Sequence, residues 1–208
     1  MSKPYVIGID MGGTNTVFGI VDARGVVVAS NSIKTQKHAN INDYIDELYT
    51  EITRLVEDNN VVDQIYGIGV GAPNANYFTG VIEAGVNLPW PTPIPLAQLL
   101  MDKFNIPVAI TNDANAAAIG EMTYGAARGL KDFIMLTLGT GVGSGIVING
   151  QLVYGHDGFA GELGHMIIKR NNGRLCGCGR TGCLEAYCSA TGVARTAREF
   201  LEISSEPS

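Results

Sequence analysis

The chain has 208 residues, 46% of them apolar and 16% charged, with a formal net charge of −6. That composition can bury a sizeable core, and its acidic balance, without any lysine- or arginine-rich run, gives no surface for nucleic acid. No apolar stretch approaches the ~18 residues of a membrane span. The start, "MSKPYVIGID", lacks the apolar region and small-residue cleavage site of a secretory signal, so a cytoplasmic protein with reduced thiols is expected.

In chain order, "YVIGID", "TVFGIVD" and "GVVVASNSI" read as three strands, β-branched and bounded by glycine or Asp22. "INDYIDELYTEITRLVEDNN" follows with Ile41, Tyr44, Ile45, Leu48, Ile52, Leu55 and Val56 at helical spacing. "IYGIGVGAP" is a short buried strand. The proline-rich connection "NLPWPTPIP" then leads into a helix near Leu96 to Phe104. "PVAITND" is another strand, and "ANAAAIGEMTYGAA" is an alanine-rich helix opening at Asp113. Beyond "RGLKD", the stretch "FIMLTLGTGVGSGIVINGQLVYG" echoes "YVIGIDMGGTNTVFGIVDARGVV", which predicts two related halves, 1–128 and 129–208, of an α/β protein. A last helix is expected near Leu184 to Leu201, with Cys188 as a core residue on it.

The 27 glycines cluster where chemistry is expected. "DMGGTN" and "LGTGVGSG" each set glycines and hydroxyl side chains between two strands, where successive backbone N–H groups can face one anion. Asp10 adds a carboxylate able to hold the hydrated Mg²⁺ of a nucleotide. Neither turn is a Walker loop or a G-x-G-x-x-G. At matching places in the two halves, they predict a cleft closing on a polyphosphate from both sides.

Asp113, with Asn112 before it, sits where a strand gives way to a helix. It can cap that helix, or it can accept the proton of a hydroxyl attacking a γ-phosphate. Glu162 and His165, in "GHDGFAGELGH", are spaced to share a site, whereas His156 reads as a loop residue. His165, Cys176, Cys178 and Cys183 offer the Cys₃His set of tetrahedral zinc, and four protein ligands leave no position for activated water, so the metal would be structural. By tying His165 to Cys183, the zinc draws Glu162 and Glu185 together around a polyhydroxylated ligand.

Together "IDMGGTN", "TNDANAAA", "LGTGVGSGIVINGQL", "GHDGFAGELGH" and "CGCGRTGCLEAY" resemble the ROK (repressor, open reading frame, kinase) family in its sugar-kinase branch, nearest to the bacterial glucokinases, from about Val6 to Gly192. The resemblance implies an actin-like ATPase (ribonuclease H-like) fold with the active site between two domains. It implies phosphorylation of a hexose at its 6-hydroxyl by ATP, glucose first, with Asp113 as base. Asn112, Glu162, His165 and Glu185 would bind the sugar, His165 serving zinc through its other ring nitrogen. The turn from Gly8 to Asn15 (Gly8, Asp10, Gly12, Gly13, Thr14, Asn15) and that from Leu136 to Gly143 (Gly139, Thr140, Gly141, Gly143) would hold the phosphates of ATP with Mg²⁺. The small-molecule sugar is the expected partner, with neither nucleic acid nor membrane, and a homo-oligomer is implied.

Two departures qualify this reading. The loop after "GVGAP" runs "NANYFTG", where many relatives carry a further glycine after the proline. Because that loop borders the sugar in the family, N-acetylglucosamine, N-acetylmannosamine and fructose stay beside glucose as substrates. The chain also ends at "EFLEISSEPS", where the family continues, so a C-terminally truncated second domain with exposed edges and apolar faces is expected. A zinc-stabilised fragment that binds sugar without catalysis is the rival reading. A sugar-responsive regulator, which needs a DNA-binding segment before the first strand, is not expected, since only five residues precede Val6.

Overall fold

A computed structural model describes residues 4–84 and 88–205, with side chains described to position 201. Asn87, which opens the expected proline-rich connection, lies outside the described residues, as do 1–3 and 206–208. The chain opens with an antiparallel meander of β1 (Tyr5–Met11), β2 (Asn15–Asp22) and β3 (Val27–Lys34). Helix α1 (Ile41–Asp58) returns it to β4 (Ile65–Gly71), which pairs parallel to β1. A small hairpin of β5 (Ala75–Asn76) and β6 (Val81–Ile82) and helix α2 (Leu96–Phe104) precede β7 (Val108–Thr111), parallel to β4. The resulting five-stranded sheet has the order β3-β2-β1-β4-β7.

Alternation decides what each face does. Ile7, Ile9 and Met11 of β1, Phe18 and Ile20 of β2, and Ile68 and Val70 of β4 are all buried. Tyr44, Ile45, Leu48, Ile52 and Val56 of α1 and Leu96, Ala97 and Leu100 of α2 belong to the same core. Each such large aliphatic or aromatic side chain contributes roughly 1.5–3 kcal/mol by leaving water. Asn40 starts α1 by accepting the Asn42 N–H at 2.8 Å. The opposite face is built of small residues: cross-strand register aligns Ser30, Gly19, Gly8, Gly69 and Ala109 in one row. An apolar cavity of ≈ 500 Å³ lies over it, with Tyr77 and Tyr154 among its walls.

Helix α3 (Asp113–Thr123) leads to a second meander, β8 (Phe133–Leu138), β9 (Val142–Ile148) and β10 (Gln151–Leu152). This three-stranded sheet repeats the antiparallel opening of the first, as the echoing sequence predicts. Helix α3 packs on β9 at the closest possible range. A Cβ on Gly145 would stand 2.6 Å from the Ala118 Cβ and 3.0 Å from the Ala114 carbonyl oxygen. On β8, Ile134, Leu136 and Leu138 are exposed.

The last helical segment departs from expectation. It is two helices, α4 (Glu185–Cys188) and α5 (Ala190–Ser205), because Ser189 turns extended between them. The Ala190 N–H is drawn away to the Gly139 carbonyl at 2.8 Å, and the Ser189 hydroxyl accepts the Gly192 N–H at 3.1 Å. Cys188, expected in a core, is only half-buried there. No described helix is long and apolar enough to cross a membrane.

Candidate active site

The first glycine turn is held from behind by hydroxyls. The Thr35 hydroxyl donates to the Gly12 carbonyl at 2.7 Å, and the Thr35 N–H to the Thr14 carbonyl at 3.0 Å. With its proton committed to Gly12, Thr35 accepts from Thr16 at 2.9 Å, and Thr16 in turn accepts from the Tyr44 phenol at 2.7 Å. Burial pushes the Tyr44 phenol up to about 12, so it stays a donor. The N–H groups of Gly13 and Thr14 find no acceptor among the described residues, which leaves two adjacent donors for an anion. Gly8 and Asp10, by contrast, lie within β1 rather than in the turn.

The second turn is built differently. The Gly139 N–H bonds the Gly141 carbonyl at 3.0 Å, and the Val142 N–H donates to Glu185 Oε2 at 2.9 Å. The other oxygen of Glu185 lies 3.5 Å from the Cys176 sulfur. Glu185 thus joins the cysteine cluster to the turn, a link the sequence reading did not contain. Thr140 lies in this turn, while Gly143 falls inside β9 against Ala114 and Thr137.

Asp113 is the first residue of α3, and Asn112 is its cap. Asn112 Oδ1 accepts the Ala114 N–H at 2.9 Å, and Asp113 Oδ1 approaches the same N–H at 2.7 Å. The cap is therefore shared, and the second oxygen of Asp113 has no partner among the described residues. Asp10, Asp113 and Thr137 line one cavity of ≈ 390 Å³ between the strand ends of the two sheets.

Burial, and then the charge of Asp113, raise the Asp10 carboxyl above its ordinary range. Burial also raises Glu162, with the charges of Asp113 and Glu185 adding to it and His165 opposing. The charge of Asp113 thus acts on both Asp10 and Glu162. Ser144, another residue the sequence reading passed over, pins the backbone beside Glu162: its hydroxyl donates to the Gly161 carbonyl and accepts the Leu163 N–H. A serine amid strand glycines was the only local signal.

The structure brings His165, Cys176, Cys178 and Cys183 together, their ligand atoms all within 4.8 Å of one another. Tetrahedral zinc with bonds of ~2.3 Å sets two sulfurs about 3.8 Å apart. The Cys178 and Cys183 sulfurs are 3.7 Å apart, and the Cys176 sulfur is 3.7 Å from His165 Nδ1. Hydrogen bonds from Arg180 draw the Cys178 thiol down to about 6, so its ligating thiolate form is accessible. The donor set and its spacing fit a tetrahedral metal.

Residues 6–206 match the ROK family. A glucokinase of Halalkalibacterium halodurans is 41% identical over 207 residues, which cover 96% of this chain and 61% of that protein. The crystal structure of a ROK family glucokinase from Streptomyces griseus in complex with glucose and AMPPNP superposes with a TM-score of 0.75 at 33% identity, over 96% of this chain and 62% of that one. A xylose repressor of Bacillus spizizenii is 36% identical over 92% of this chain and 50% of its own length. The chain thus spans about three fifths of the length of the glucokinases it matches. It belongs to the ROK family and has that family's actin-like α/β ATPase fold.

Proposed function

We propose that the protein is an ATP-dependent hexose kinase acting on the 6-hydroxyl, with glucose as the preferred sugar. The observation that carries this reading is the shared cavity of Asp10 and Asp113, with a glycine turn in each flanking meander. The free oxygen of Asp113 takes the proton of the 6-hydroxyl as the sugar oxygen forms its bond to the γ-phosphorus. The bond from the γ-phosphorus to the bridging oxygen breaks, and ADP leaves with the electron pair.

Asn112, whose amide oxygen serves the cap, keeps its NH₂ for a sugar hydroxyl; Glu162 and Glu185 accept from others, and His165, with one ring nitrogen given to zinc, donates its other ring N–H to one. The turns Gly12–Asn15 and Gly139–Gly141 hold the phosphates. Asp10 would hold the hydrated Mg²⁺, which when bound neutralises phosphate charge. His165, Cys176, Cys178 and Cys183 would hold a structural zinc that keeps Glu185 and His165 in place. The halves 1–128 and 129–208 act as the two walls of the cleft, in a cytoplasmic homo-oligomer.

The test is a coupled phosphorylation assay with separate calorimetric titrations of glucose and Mg·ATP, on the chain and on Asp113→Ala. Turnover that falls by 10²-fold or more in the variant, with glucose affinity kept, is expected for loss of a general base. Sugar binding without nucleotide binding would replace this reading with a binding-only one. That outcome would suit both the zinc-stabilised fragment and a sugar-responsive regulator like the xylose repressors.

A further inference from the structure

The cleft as assigned contains carboxylates, amides, hydroxyls, a histidine and glycines. Asp10 and Asp113 line a space that, on the kinase reading, receives a polyanionic triphosphate. Like charges repel strongly where water is partly excluded, and a transferring phosphoryl group is stabilised by cations set beside it. One divalent ion offsets only part of that charge.

Lys34 meets the requirement. It is the last residue of β3 and stands directly opposite Asn15, the residue that closes the first turn. Its ammonium donates to Asn15 Oδ1 at 2.7 Å. Its neighbour Thr35 clamps the turn through Gly12 and Thr14. The ammonium is therefore carried by the same segment that fixes the turn with the free Gly13 and Thr14 N–H groups.

Lys37 and Lys103 are bound to the carboxylates of Glu47 and Asp46, and Arg24, Arg54, Arg174 and Arg195 also pair with acids. Lys34 has no carboxylate partner among the described residues. A neutral amide oxygen takes one of its three protons, and its full charge is left for an incoming anion.

We propose that Lys34 is a phosphate-binding residue of the first turn, contacting the polyphosphate of ATP beside Asn15. The proposal rests on the kinase reading above. It gives Asn15 a second role, holding a flexible side chain extended toward the anion so that less rotamer freedom is lost on binding.

Calorimetry of the chain, of Lys34→Met and of Lys34→Arg, with Mg·ATP and separately with glucose, tests it. Lys34→Met should bind Mg·ATP about tenfold more weakly, the scale of one charge-assisted hydrogen bond, and Lys34→Arg should recover most of the loss. Glucose affinity should not change. The deficit should shrink toward about 1 M salt, where screening reaches ~3 Å. Equal Mg·ATP binding by the unaltered chain and Lys34→Met would overturn this inference alone. A parallel loss of glucose binding would overturn it as well, marking Lys34 as structural. If the unaltered chain binds glucose but not Mg·ATP, the nucleotide half of the kinase reading fails and Lys34 fails with it.

Discussion

The two meanders look alike on paper and are held together by different means. Behind β1, β2 and β4 lies a continuous apolar core, whose buried members run from Ile7 to Ile110. Behind β8 and β9 the described side chains bury far less: Val142, Val147, Cys176 and Cys183 are the main apolar ones from position 133 onward. Polar contacts take over there. The Arg174 guanidinium, almost buried, bonds the Ala186 and Gly192 carbonyls at 3.1 Å each, Thr196 at 2.8 Å and Glu199 at 2.6 Å. It also lies 4.7 Å from the Tyr187 ring centroid. Regions too small to bury enough surface are commonly stapled by a metal. The Cys₃His set lies in this thinly cored stretch, where a bound metal would add most.

The contrast breaks most visibly if the Cys₃His set holds the structural zinc proposed above and that zinc is removed. Chelation, or Cys183→Ser, should loosen residues 163–201 while α1 and β1–β4 keep their protection. Binding of structural zinc is worth about 10 kcal/mol or more in isolated small domains, so a local loss of at least ~3 kcal/mol is expected here. Amide hydrogen exchange resolved along the chain measures it, alongside zinc content by mass spectrometry. Uniform loss of protection through both halves would show that they are not held separately.

A smaller effect should come from the helix that joins them. Gly145→Ala sets a methyl 2.6 Å from the Ala118 Cβ, and the Ala114 carbonyl leaves it no room to shift. Overpacking of this kind costs roughly 1–3 kcal/mol. Because α3 touches β4 and β9 alike, urea unfolding should show the loss in both halves. A neutral result would mean that the two sheets can separate at little cost.

What the sequence made legible follows the same contrast. Helix α1 announced itself through its apolar stripe, α2 came out at its observed bounds, and the echo of β1–β2 in β8–β9 marked the paired turns. The cysteine cluster was readable because its spacing leaves so little choice of chemistry. Polar contacts between distant segments carry no period and were missed: the Tyr44–Thr16–Thr35 chain, Ser144 on Gly161, and Glu185 on Val142. The break at Ser189 was hidden for the same reason, since apolar spacing runs through it and the bond to Gly139 that makes it comes from another strand pair. Asn112 could have been taken for the cap, but Asp113 offered an equally good side chain one position on.

The smallest effect lies where the halves face each other. Asp10 has its carboxyl raised above the ordinary 3.8, first by burial and then by Asp113. An acid whose value is raised in the folded state weakens folding once it ionises, and the penalty is complete above its folded value. Only as pH falls below 3.8 is the carboxyl protonated in both states, and there the penalty disappears. Asp10→Asn should therefore stabilise the chain near neutral pH, with the gain fading in acid. The carboxylate is only partly buried, so the gain should be only a few tenths of a kcal/mol. Urea midpoints from about pH 3 to pH 7 would measure it. In an Asp113→Asn background the gain should shrink, because one of the two causes has gone. An undiminished gain there would assign the shift to burial alone and separate Asp10 from the other carboxylates of the cleft.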